Sequence, residues 1–156
     1  MSTSVTLFRP IGQEELDLII AVGMKAFPPR LDWQPIFYPV LNAPYATQIA
    51  RDWNTRDDAT GYVTRFAVDA MLLGDYETHQ VGGQIHVEYW IPAEDLDVFN
   101  EHLASPIEVI AAYRGDPPEF DGHALAVARL AAGQDARPST LAALGDQART
   151  AGASLP

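Results

Sequence analysis

Apolar and polar positions alternate along this chain with two clear periods, one of two residues and one of three to four. VTLFR (5–9) is short and rich in β-branched and aromatic residues, which predicts a strand. GQEELDLIIAVGM (12–24) changes period: Leu16, Ile19, Ile20 and Gly23 fall on one stripe, and acids fill the first turn, so a helix follows. AFPPRLDWQP (26–35) holds three prolines in ten residues and is read as irregular, with IFY (36–38) a strand fragment or turn. NAPYATQIARDWN (42–54) is the clearest helix, with Asn42 as N-cap, Pro44 in the first turn and Ala46, Ile49, Ala50 and Trp53 as the buried stripe.

TRDDATG reads as a loop, and YVTRFAV (62–68) as a strand with Tyr62, Thr64, Phe66 and Val68 on one face. After the polar turn GDYETHQVGG, the run 82–92 alternates completely. Gln84, His86, Glu88 and Trp90 share one face, and Ile85, Val87, Tyr89 and Ile91 share the other, which predicts a strand with an apolar core side. PAEDLDVFNEHL predicts a helix packed by Leu96, Phe99 and Leu103, and PIEVIAAY (106–113) a last strand. The order of elements points to an α+β fold rather than a doubly wound sheet.

Beyond Tyr113 the pattern thins. RGDPPEFDG has the composition of a linker, and two Ala-rich helical stretches follow, broken by Gly133 and Pro138. Their apolar faces are narrow (Leu125, Ala128 and Leu130, then Leu141 and Leu144), so weak docking and a partly disordered end are expected. The chain therefore divides into residues 1–113 and a helical tail, 114–156.

Composition narrows the functions available. The 156 residues contain no cysteine, which removes disulfides, thiolate metal sites and cysteine nucleophiles. No run is long and apolar enough to span a bilayer, and the N-terminus lacks the pattern of a signal peptide, so a cytoplasmic protein is expected. The net charge is −11, and residues 1–113 carry sixteen acidic against six basic residues. Such a field opposes a broad nucleic-acid surface and favours either solubility alone or a basic protein partner. No metal-ligand spacing is present.

Three places can carry chemistry. Glu88 and His86, two apart on the polar face of the 82–92 strand, either floor a site as an acid–base pair or face solvent. Arg9 ends its strand with a planar charged fork suited to phosphate or carboxylate, or else pairs with a nearby acid. QPIFYPVLN (34–42) sets aromatics between prolines, a rigid wall that serves either core or ligand.

Taken together, LFRPIG, FPPR, QPIFYPVLN, IARDWN, GYVTRF, EYWIPAEDL and PIEVI resemble a family of short bacterial proteins labelled "ADP-ribosylation/crystallin J1", over roughly Val5 to Tyr113. The chain is too short and strand-rich for the helical, magnesium-dependent glycohydrolases to which crystallin J1 is similar. The resemblance implies instead a compact ADP-ribosyltransferase-like fold, a small twisted, mostly antiparallel sheet with flanking helices, using NAD as substrate. It implies Arg9 at the pyrophosphate or ribose edge, Tyr38 stacked on nicotinamide, Thr64 as the middle-strand hydroxyl and Trp90 beside the pocket. Glu88 is then the carboxylate that stabilises positive charge on the ribose, with His86 two residues earlier, where relatives that modify protein side chains have Glu or Gln. The other expectation is a non-catalytic acidic module on the same fold that binds a basic partner, as antitoxin or immunity proteins do.

Overall fold

The computed structural model describes residues 3–153, apart from the side chains of 57, 58 and 151–153. The central sheet has four antiparallel strands in the order β1 (Ser4–Ile11), β3 (Thr60–Asp69), β7 (Glu108–Arg114) and β8 (Glu119–Phe120). Two ribbons accompany it. β2 (Ile36–Phe37) pairs with β6 (Ile91–Pro92), and β4 (Thr78–Gln80) with β5 (Val87–Tyr89). Val40 stitches the second ribbon to the sheet, since it bridges Phe8 of β1 on one side and Glu88 of β5 on the other. The result is α+β, as the alternation predicts.

Side-chain alternation along β1 and β3 sorts the two faces. Leu7, Arg9 and Ile11 point one way, together with their partners Phe66, Thr64 and Tyr62. That face meets α1 (Gln13–Ala21) and a cluster of four phenylalanines, Phe27, Phe37, Phe66 and Phe99, with ring centroids as close as 4.9 Å. Phe99 comes from α5 (Leu96–Glu101), as expected from its spacing with Leu96. Asn100 pins the proline-rich loop by bonding both the N–H and the carbonyl of Phe27, at 2.9 and 3.0 Å. An irregular segment is thereby held as firmly as a strand.

The opposite face of the sheet is covered by α2 (Ala43–Ile49) and by two helices of the tail, α6 (Gly122–Ala131) and α7 (Pro138–Ala153). Leu125, Ala128, Leu144 and Ala148 join the same buried core as the sheet, while Leu130 points outward. Apolar area alone underestimates this docking. Arg129 is buried in α6, and its guanidinium bonds the carbonyls of Asp135 and Val109 and the carboxylate of Glu108, a set of contacts that hydropathy does not register. The last three residues, where disorder is expected, lie outside the described residues.

Two predicted elements differ in form. The helix expected over 42–54 is interrupted: α2 ends at Ile49, a π-helical turn runs over Ala50–Asn54, and α3 (Thr55–Asp58) continues into the expected loop. Asn42 does cap α2, accepting from Tyr45 N at 2.8 Å. The wide turn rotates the helix face, so Trp53, assigned to the buried stripe, is 59% exposed. The strand expected over 82–92 is shorter. Gly82 to His86 form a tight turn, in which Gly83 N donates to His86 Nδ1 at 2.8 Å, and only Val87–Tyr89 and Ile91–Pro92 pair as strands.

Candidate functional site

Arg9 is 8% exposed and lies on the phenylalanine side of β1. Its guanidinium sits 4.6 Å above the Phe37 ring and makes a two-pronged ion pair with Glu15 of α1, at 2.7 and 3.0 Å. The short step from β1 through Gly12 into α1 brings Glu15 back over the strand end. The pair lines a cleft of about 340 Å³ whose other walls include Pro28, Pro29, Arg30, Gln34 and Asn54. Arg30 is half-buried there. Burial and the neighbouring Arg9 charge hold its pKa below the ordinary arginine value, with Glu15 and Tyr38 opposing them. Exposed Glu14 stands at the rim.

Glu88 belongs to a different neighbourhood. Phe8, Val40 and Glu88 are successive bridge partners, so their side chains share one side of the sheet, whereas Arg9 follows Phe8 and points to the other. On its side Glu88 is 8% exposed, so of the two arrangements open to a polar strand face, solvent-facing or flooring a site, it does not take the first. Of the alternate row, Ile91 is fully buried, as its place on an apolar side predicts, while Ile85, Val87 and Tyr89 are only partly buried. The cause is the cover: α2 lies over Glu88, and Tyr45 from that helix donates its hydroxyl to Oε1 at 2.8 Å. Trp90 Nε1 donates to Oε2 at 3.0 Å. Burial first, and then the Glu88 bond, raise the Tyr45 pKa well above the usual phenol value, which keeps the donor protonated.

The remaining predicted residues fall around this carboxylate or beneath Arg9. His86 makes no hydrogen bond to Glu88. Its Nδ1 accepts from the turn, which leaves the proton on Nε2 to meet Gln48 Oε1 at 2.8 Å, and its ring packs on Tyr45. Trp90, 40% exposed, stacks on His79 at 3.9 Å and meets Tyr38 edge-to-face at 6.2 Å. Thr64 is fully buried and spends its hydroxyl on the carbonyl of Arg9, at 2.8 Å, so it supports the strand rather than lining the cleft. A line of neighbours therefore runs from Arg9 and Arg30 past Tyr38 and Trp90 to Glu88, along the sheet edge and not within one closed pocket.

Three contributors were not singled out from sequence. Glu15 lies in a helix first turn, where acids are ordinary. Tyr45 sits in α2 at a position that periodicity leaves unassigned. Asn54 ends the specific string IARDWN, which was the only signal available for it. Among the described residues no group of three or more His, Asp or Glu side chains is placed to hold a metal ion, and no helix is long and apolar enough to cross a membrane. The chain matches no known family model, no curated protein and no solved structure.

Proposed function

We propose that this chain is an ADP-ribosyltransferase-like domain that binds an NAD-related dinucleotide along the edge running from the Arg9–Arg30 cleft to Glu88. The observation that carries the reading is the second arginine. Glu15 neutralises Arg9, but Arg30 stands beside it, half-buried, with no carboxylate partner among the described residues. The planar fork of a guanidinium with free donors suits phosphate oxygens, which it would hold against the field of a chain of net charge −11.

The edge offers parts for the rest of such a ligand. Tyr38 and Trp90 present aromatic surface for a ring. Glu88 is held by two donors while retaining free lone pairs, the condition for a carboxylate that faces positive charge developing on a ribose. The chemistry the dinucleotide supplies is a nicotinamide–ribose bond whose electron pair leaves with nicotinamide.

The test is calorimetric titration with NAD, followed by assay of nicotinamide release, on wild type and Glu88→Gln. Saturable binding to both proteins with release only in the wild type is expected. Absence of binding at millimolar NAD would overturn the reading.

A second reading has its own observation. All three tryptophans are substantially exposed, Trp33 at 75%, beside Trp53 and Trp90, on an acidic surface. Aromatic anchors in a negative field suit a non-catalytic module for a basic protein partner. Capture of a specific basic protein with affinity that falls as salt rises, and no response to NAD, would select it.

A further inference from the structure

Glu88 takes its two side-chain hydrogen bonds from two rings, and each ring has a histidine behind it. Tyr45, the donor to Oε1, packs on the His86 ring at 4.8 Å. Trp90, the donor to Oε2, is stacked on the His79 ring at 3.9 Å, with the two planes 18° apart. His79 is also the direct partner of Glu88 across the β4–β5 ribbon, so the two side chains leave the same face of that ribbon.

The two donors differ in what else holds them. Tyr45 stands on α2, and the His86 behind it is tied at both ring nitrogens, to Gly83 N and to Gln48. Trp90 lies between the short strands β5 and β6 and is 40% exposed. An indole with that much surface in water turns readily unless a neighbour packs its face. Tyr38 meets it edge-to-face at 6.2 Å, and His79 supplies the parallel contact. The indole is thereby held on three counts: its N–H by Glu88, one face by His79, and Tyr38 set perpendicular to it.

We infer that His79 is a positioning residue: by stacking on Trp90 it keeps the indole N–H on Oε2 and so fixes the direction in which Glu88 offers its remaining lone pairs. A carboxylate that faces charge developing at one point works best when it cannot swing, which requires an anchored donor at each oxygen. The helix anchors the first donor, and His79 anchors the second. The inference rests on the proposed function for its effect on turnover, whereas the hold on the indole stands apart from that reading.

The experiment follows hydrogen exchange of the Trp90 indole N–H by NMR, its signal assigned through Trp90→Phe, and nicotinamide release from NAD. Both are measured on wild type, His79→Ala and His79→Phe, with melting temperatures confirming that the variants fold. A stacked ring pair shifts an equilibrium by about two- to tenfold, so exchange in His79→Ala should quicken by that factor and kcat should fall likewise, with KM unchanged. His79→Phe keeps a flat ring and should restore both. In the Trp90→Phe background, His79→Ala should cost nothing further in kcat, because its route to Glu88 is already cut. Unchanged exchange in His79→Ala would overturn the assignment. So would a His79→Phe variant as impaired as His79→Ala, since the stack would then not be what matters. Quickened exchange beside a wild type that releases no nicotinamide would keep the hold on the indole and sink the dinucleotide reading. Glu88-dependent release with unchanged exchange would do the reverse.

Discussion

Glu88 and Arg30 are both charged groups drawn out of solvent, and the protein treats them in opposite ways. Glu88 lies under α2 with a donor on each oxygen, Tyr45 on one and Trp90 on the other. Arg30 lines an open cleft with one backbone carbonyl for company and a like charge beside it. Two internal donors let Glu88 tie α2 and Trp90 together whether or not its remaining lone pairs also meet a ligand. The Arg30 guanidinium ties down one carbonyl, that of Ile36, and keeps its other donors for something outside the chain. The difference teaches that burial alone does not mark a ligand site. Free donors turned to an open cleft do, and Arg30 keeps them there beside the Arg9–Glu15 pair.

The sharpest way to break this comparison is to delete each charge and measure stability by chemical denaturation. Glu88→Ala leaves the Tyr45 hydroxyl and the Trp90 indole without their acceptor and should cost about 2–3 kcal/mol, because hydrogen bonds to a charged group are the stronger ones. Arg30→Ala should cost less, about 1 kcal/mol, for its single bond to the Ile36 carbonyl. Equal losses in the two variants would mean that Arg30 is structural after all.

Gly61→Ala comes next. The added Cβ meets the Ala50 backbone, so the π-helical turn must shift, at a cost of about 1–3 kcal/mol. NAD affinity should fall along with stability, since the same turn carries Asn54, a residue of the cleft wall. Full retention of affinity would separate the turn from the cleft.

The smallest effect concerns Tyr76, a further phenol held by a carboxylate. Its hydroxyl donates to Asp95 at 2.9 Å, and burial first, then that bond, push its pKa up to about 12. A phenol with a raised folded-state pKa contributes stability that is complete below its unfolded value of about 10 and is lost as pH climbs through the folded value. Stability should therefore decline between about pH 10 and about pH 12, and Tyr76→Phe should flatten that decline. An unchanged alkaline slope in the variant would assign the loss to other groups.

How much of this was legible in the sequence follows from the range of the forces involved. The period-two run at 62–68 shows which side of β3 is buried because a whole strand repeats the signal, and Tyr62, Thr64, Phe66 and Val68 are all inside. Arg9 was visible as a candidate, with an ion pair as its other reading; Glu15, the acid it meets, was not, because which acid approaches depends on the turn at Gly12. The 82–92 strand misled for a related reason. Alternation separates two faces but does not say which residues are covered, and Tyr45 of α2, some forty residues earlier in the chain, reaches Glu88 on the polar row. The helix over 42–54 was legible up to Ile49. The π-helical turn beyond it answers to a contact with Gly61, and no local pattern records that contact. The Arg30–Asn54 pairing in one cleft is likewise tertiary, joining a proline loop to the end of a helix.

The central claim is that spare hydrogen-bonding capacity at Arg30 marks a ligand site and not a structural one. One variant tests it directly: Arg30→Ala, measured for denaturation midpoint and for NAD affinity in the same buffer. The account predicts an affinity reduced by about tenfold or more, with a midpoint shift no larger than the one lost hydrogen bond to Ile36 explains. A lowered midpoint with unchanged affinity would contradict it and return Arg30 to the scaffold.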